Sequence, residues 1–358
     1  MSNSTQIKSR KEEHVNIALN ENVTVKGVSN GFEDFHVVPT AVPDLDFNDI
    51  DLSTEFLGVK FQAPILVAGM TGGYPRAEKI NKSLARVCSK LGIPMGIGSQ
   101  RAMITNKETL STFNVKEEIP DVYLIGNLGL VQFSANFGMS ELEEAIENVH
   151  ADAMAIHVNP FQELCQPEGD LDWKGAWKNF EKITKHSKVP IIAKEVGNGI
   201  AYEEAMKFES LGASAIDVGG AGGTSWPKIE LIRNDREDAL SLDDPTLRWG
   251  INTALATFEA TSKVQIPVIS TGGMYNGISA AKAIALGSTL VGIARPVLQA
   301  LVDGGEERAE KYLRRYILDV QRVMFLMGVQ DTESLRSQMS RLVILGKSRE
   351  WLHARNLL

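Results

Sequence analysis

The chain has 358 residues, 43% hydrophobic and 23% charged, with 31 glycines and a formal charge of −8. That composition fits a globular protein with one large core or two small ones, and the acidic balance argues against nucleic acid or an anionic membrane as main partner. No apolar run approaches the ~18 residues a membrane span needs, and the polar start MSNSTQIKSRKEEH has no signal-peptide core. Cys88 and Cys165 lack CxxC spacing and are expected to be reduced thiols, which together with the missing signal suggests a cytoplasmic protein.

In chain order, the first feature is SRKEEHVNIAL. On a helix, residues three and four apart share a face, so Arg10, Lys11 and His14 can point at one anion. A solvated helix start is the plainer alternative. The extension to residue 63 also holds a hairpin candidate, TEFLGVKFQAP, suited to sealing the bottom of a barrel.

Eight short apolar runs follow: PILVAG (64–69), IPMGIG (93–98), DVYLIGNLG (121–129), ADAMAIHVNP (151–160), VPIIAKEVG (189–197), ASAIDVGG (213–220), IPVISTGG (266–273) and STLVGIAR (288–295). Such continuous runs mark strands buried on both faces of a parallel sheet. Six segments with helical spacing lie among them, one being TLRWGINTALATFEATS. The alternation predicts an α/β fold, a TIM (β/α)8 barrel over 64–304. It forms a single domain with the N-terminal extension 1–63 and a C-terminal helix and tail over 305–358.

In such a barrel, ligands sit at the C-terminal strand ends. Those ends carry AGMTGG, GSQR, Asn127, HVNPFQE, Lys194, GGAGGTSW, STGGMYNG and GIAR with Arg295. Gly-rich turns before helices let backbone N–H groups approach phosphate oxygens, although one such loop alone could be only a tight turn. Lys194, in an otherwise apolar strand, needs a partner. The choices are an ion pair with Glu195 or a neighbour, a Schiff base, or a cation beside an electron-rich ring. In HVNPFQE, strand alternation turns His157 and Asn159 the same way. Pro160 then ends the pairing, and Gln162 and Glu163 follow on a loop. Arg101 can reach the anion held by Arg10, Lys11 and His14. Residue chemistry alone supports a phosphate-binding, cofactor-using barrel. A hydroxy-acid oxidase and a non-catalytic flavin or phosphate binder remain open.

The ordered set RKxxH, AGMTGG, GSQR, HxNPxQE, the strand-5 lysine, GGTSW, STGG and GIAR resembles the type 2 isopentenyl-diphosphate isomerases along essentially the whole chain. The resemblance implies a flavin-dependent TIM barrel that uses reduced FMN and Mg²⁺, with NADPH or another reductant to reduce the flavin. It would interconvert isopentenyl and dimethylallyl diphosphate without net redox change. It also implies a homo-oligomer, for which the tail RLVILG offers an apolar surface. Carried over by position, Gly69, Met70, Thr71, Ser99, Asn127, Lys194 and Thr224 would line the flavin ring and ribityl chain. Gly273, Met274, Tyr275, Ala294 and Arg295 would hold its phosphate. Arg10, Lys11, His14, Ser99, Gln100, Arg101 and Gln162 would bind the substrate diphosphate. His157, Asn159 and Gln162 would be the catalytic set and Glu163 the metal ligand. Because an amide has no useful pKa, Gln162 can orient or relay a proton, which leaves the reduced flavin as the better acid and base. One departure is Gly219, where many relatives carry serine.

Overall fold

The structure is a computed structural model and describes residues 3–234 and 240–358. Eight parallel strands close into a barrel: β1 Ile65–Val67, β2 Met95–Gly96, β3 Leu124–Gly129, β4 Ala153–Val158, β5 Ile191–Glu195, β6 Ala215–Asp217, β7 Val268–Thr271 and β8 Leu290–Ile293. Each of the eight apolar runs contains one strand, and β8 pairs with β1 through Val291–Ile65 to Ile293–Val67. Helices pack around the outside, where their apolar faces meet the outward strand residues in two clusters.

The inward residues follow period two and change character along each strand. At depth they are apolar: Leu66, Ile125, Ala153, Ala155, Ile192, Ala215, Ile269 and Leu290. Two residues onward the inward positions include Asn127, His157, Lys194, Asp217 and Thr271. The alanines of β4 and β6 leave space at the bottom, and the hairpin Thr54–Phe56/Val59–Phe61 fills it. Phe56 and Phe61 are both buried there, with Phe61 edge-on to Tyr123 at 5.2 Å. The expected bottom seal is present.

Three sequence expectations change. TLRWGINTALATFEATS is not one helix. Pro245–Arg248 is a single 3₁₀ turn, Gly250 adopts φ 133°, and the helix begins at Thr253 after Asn252 accepts from the Leu255 N–H. Gln162 and Glu163 do not lie on a loop; Pro160 starts a short helix, Pro160–Cys165, as its missing N–H permits at a first helical position. The apolar tail is partly consumed within the chain. Leu342–Ile344 pairs antiparallel with Phe35–Val37, leaving Val343 and Leu345 exposed.

Two extensions frame the barrel mouth. The N-terminal helix Asn3–Asn20 packs beside the helix Trp226–Arg233. The chain after β8 forms a helix, Arg295–Met327, broken at Gly304–Gly305, where Gly305 has φ 69°. No helix among the described residues is long and apolar enough to cross a membrane.

Replacing Phe56 by alanine is expected to lower stability by about 3–5 kcal/mol, the cost of emptying a buried aromatic site. Urea unfolding reads this directly, and an unchanged midpoint would show that the hairpin does not support the barrel.

Candidate active site

A cavity opens at the C-terminal ends of the strands, and every catalytic, binding or metal candidate named from the sequence borders it except Gln100. Gln100 is fully buried. Its Nε2 donates to the Ala145 carbonyl at 2.6 Å and its Oε1 accepts from the Asn127 N–H at 2.8 Å. It therefore anchors the backbone of β3 and does not face the cavity.

One side of the cavity is backbone. The loops after β6 and β7 pack so closely that a Cβ on Gly273 would sit 2.5 Å from the Gly222 carbonyl, and Gly273 itself has φ 64°. Gly219 also lies in the left-handed region, at φ 49°, where a side chain would run into the Glu195 carbonyl. The backbone thus excludes the serine that the resemblance led us to expect. Met274, Tyr275, Ala294 and Arg295 continue this wall. The helix after β7 is capped by Asn276, whose side chain accepts from the Ser279 N–H at 2.8 Å. The helix beginning at Arg295 has no side-chain cap, so its N-terminal end is open to an anion. Arg295 Nε is buried without a partner, while Nη2 donates to the Glu21 carbonyl at 3.2 Å.

The floor comes from the inward strand residues. Lys194 Nζ lies 2.6 Å from Asp217 Oδ2, so it does form an ion pair, with a carboxylate on the neighbouring strand rather than with Glu195. Glu195 instead accepts N–H bonds from residues 197–199, and its burial raises its pKa to about 7. His157 Nδ1 meets Asn127 Oδ1 at 2.7 Å. Burial, then the nearby Lys194 and Lys11, lower the His157 pKa to about 3, so its imidazole is neutral at ordinary pH. A neutral ring that donates through Nδ1 to Asn127 leaves Nε2 as acceptor. Gly69, Met70, Thr71, Ser99 and Thr224 complete this region, and Thr71 Oγ1 is buried without a partner.

The opposite side is cationic. Arg10, Lys11 and His14 project from the N-terminal helix, and Arg101 begins the short helix after β2. Lys11 donates to the Ser99 carbonyl; burial, then Arg10 and Arg101, lower its pKa to about 7. Arg10 Nη1 lies 3.3 Å from Glu168 and Arg101 Nη1 3.2 Å from Asp170. Among the described residues, Glu163 is the one carboxylate lining the cavity. Its oxygens accept from Asn159 Nδ2 at 2.9 Å and the Asp170 N–H at 2.8 Å, and burial raises its pKa. Asn159 Oδ1 is buried and unpartnered beside it. Among the described residues there is no group of three His, Cys, Asp or Glu that could hold a metal alone. A divalent cation held at Glu163 would have to take its remaining ligands from phosphate oxygens and water.

Sequence reasoning missed Glu230, Asp217, Gln132, Gln166 and Trp226. Glu230, fully buried on the helix Trp226–Arg233, accepts from Gln162 Nε2 at 2.9 Å and Arg233 Nε at 3.0 Å, and lies 2.9 Å from His14 Nε2. Burial opposes its ionisation, but His14, Gln162 and Arg233 more than offset it, bringing the pKa to about 2. With its amide nitrogen 3.2 Å from Glu230 and its oxygen 3.0 Å from Arg10, Gln166 bridges the same group. The only signal for Glu230 was an acid in an amphipathic stretch after GGTSW.

The sequence profile of FMN-dependent dehydrogenases matches residues 4–119 and 133–342. The chain belongs to this family of FMN barrels. Proteins called isopentenyl-diphosphate delta-isomerase are similar over nearly the whole length. That of Thermococcus onnurineus is 46% identical, covering 97% of this chain and 94% of the relative, and that of Methanocaldococcus jannaschii 39%, covering 99% of each. Solved structures share the fold at lower identity. They include a flavocytochrome b2 variant with benzoylformate (TM-score 0.65, 19% identity, 93% of this chain and 83% of that one) and a mandelate oxidase variant (TM-score 0.63, 17%, 95% and 98%). Within the FMN barrels, the chain belongs to the isopentenyl-diphosphate delta-isomerases.

The residues fit FMN: a glycine cradle that any Cβ would fill, an unpartnered Arg295 Nε and Thr71 Oγ1, and the Lys194 ammonium on the same cavity. Gly273→Ala should therefore abolish most FMN retention on purification, and an unchanged flavin content would contradict the cradle. An anion beside Lys11 favours its ammonium, so binding should be strongest below pH 7 and weaken above it by up to about tenfold per unit. Calorimetry with inorganic pyrophosphate should show this excess loss in the native protein and not in Lys11→Arg; equal profiles would contradict it.

Proposed function

We propose that the protein converts isopentenyl diphosphate to dimethylallyl diphosphate by adding one proton and removing another, using reduced FMN and Mg²⁺ with no net redox change. The observation that supports this is one cavity lined by a glycine cradle, by a cluster of cations and by several uncharged hydrogen-bonding side chains. Arg295 accompanies the cradle, and the cations are Arg10, Lys11 and Arg101. His157, Asn159 and Gln162 border the same cavity, and none of the three is charged at neutral pH. The assignment of individual residues to these roles is part of the proposal.

The substrate's diphosphate would lie among Arg10, Lys11, His14, Ser99 and Arg101, and neutralisation there leaves charge free to develop at the alkene end. Carbocation character at that end would be tolerated beside the uncharged amides of Asn159 and Gln162 and the neutral imidazole of His157. Asn159 Nδ2 donates to Gln162 Oε1 at 3.2 Å while Gln162 donates to Glu230, so the amide is held in one orientation. Gln162 thus orients substrate or passes a proton along hydrogen bonds without titrating itself. Glu163, with Asn159 Oδ1 beside it, would hold Mg²⁺ against the diphosphate. Lys194 and Asn127 would face the flavin ring, and the cradle its phosphate. Reduced FMN, when bound, supplies an electron-rich ring with a nitrogen that can take or give a proton. NADPH or another donor would be needed only to reduce it, because turnover consumes no electrons.

The test is product formation from isopentenyl diphosphate under anaerobic conditions. Dimethylallyl diphosphate should appear with reduced FMN and Mg²⁺ and not with oxidised FMN. Steady oxygen-dependent turnover of a hydroxy acid would instead assign the chain an oxidase reaction. Glu163→Gln should weaken Mg²⁺ affinity at least about tenfold with FMN still bound; loss of FMN in that variant would contradict its placement.

A further inference from the structure

Under the cavity floor lies a contact that the proposed chemistry does not use. Lys194 and Asp217 are register partners on β5 and β6, and both point inward. Lys194 Nζ donates to Asp217 Oδ2 at 2.6 Å. The other carboxylate oxygen accepts from Thr271 Oγ1 and from the Gly219 N–H at 3.3 Å. With both oxygens committed, the carboxylate cannot swing toward a ligand.

Lys194 borders the main cavity. Asp217, 2% exposed, does not line that cavity and instead lines, with Lys194, a small pocket of about 20 Å³ among the deeper strand residues. A ligand above therefore meets the ammonium and not the carboxylate. Seen from that ligand, the two charges form a compact dipole rather than a lone cation, and a dipole's field falls off faster with distance. In a water-poor site that difference is large enough to alter how strongly an anionic ligand is held.

We propose that Asp217 is a positioning residue for the cofactor: it fixes the Lys194 ammonium at the cavity floor and offsets part of its charge, so setting how strongly the protein prefers reduced over oxidised FMN. This rests on the placement of FMN against Lys194 proposed above. The offset has a chemical use. An uncompensated cation would favour the deprotonated reduced ring, whereas a redox-neutral proton exchange needs a ring that can also be protonated. Thr271 and Gly219 are then part of the same device, since they hold the carboxylate below the floor.

The experiment is an anaerobic redox titration of the FMN-loaded protein, native and Asp217→Asn. The amide keeps the shape and removes the charge. Asp217→Asn should increase the preference for reduced over oxidised FMN at least tenfold, about 30 mV more positive for a two-electron couple. Lys194→Met should move the potential the opposite way. A purely structural role would weaken both redox states alike and leave the potential in place. If Lys194→Met shifts the potential and Asp217→Asn does not, the inference fails and the FMN placement stands. If neither shifts it, both fail. Circular dichroism establishes that the variants are folded, and Asp217→Ser takes the place of Asp217→Asn if the latter is not.

Discussion

The whole site depends on register. Closing eight parallel strands fixes which residues point inward, and a slip of one residue would turn every one of them outward. In this chain the inward positions are apolar at the bottom and polar two residues later. Ile125 precedes Asn127, Ala155 precedes His157, Ile192 precedes Lys194, Ala215 precedes Asp217 and Ile269 precedes Thr271. The same hydrogen-bond ladder therefore builds the core and places the chemistry. The Phe56 and Phe61 rings fill the bottom, so the interior is packed below and open only above.

Burial then decides the charge states. His157 is neutral because it is buried beside cations, whereas Glu230 is ionised despite burial because three groups point at it. Lys11 is held near neutrality by burial and by its basic neighbours, so an arriving anion gains a charge it can help create. These opposite results at similar depth follow from whether a buried group has partners suited to its charged form. The cavity therefore holds charged and uncharged groups side by side, each in the state that its partners and burial favour.

Much of this was legible in the sequence. The eight apolar runs are the eight strands, because strands covered on both faces leave a continuous signal. The Gly-rich ends of β6 and β7 pointed to backbone accessible to a phosphate, and the close packing of the two loops on each other shows only in the structure. What stayed hidden was local or distant in sequence. HVNPFQE reads as a loop because a helix of fewer than two turns leaves no periodicity; Pro160 does end the strand pairing, and it also opens the helix. TLRWGINTALATFEATS kept a helical spacing across Gly250, which the backbone does not follow. Gln100 sits within a motif whose neighbours face the cavity, and only the turn of the chain after β2 directs it toward Ala145. Lys194 clearly needed a partner, but Asp217 lies one strand away and more than twenty residues on. Glu230 was less legible still, since its role comes from three helices meeting at the barrel mouth.

The central claim is that one cavity moves protons on an alkene without consuming electrons. The most direct measurement is incubation with isopentenyl diphosphate in D₂O, anaerobically, with reduced FMN and Mg²⁺, followed by NMR. Deuterium should enter the product dimethylallyl diphosphate while the flavin stays reduced through many turnovers. Product formed without solvent deuterium, or flavin oxidised in proportion to product, would contradict a redox-neutral proton exchange in this site.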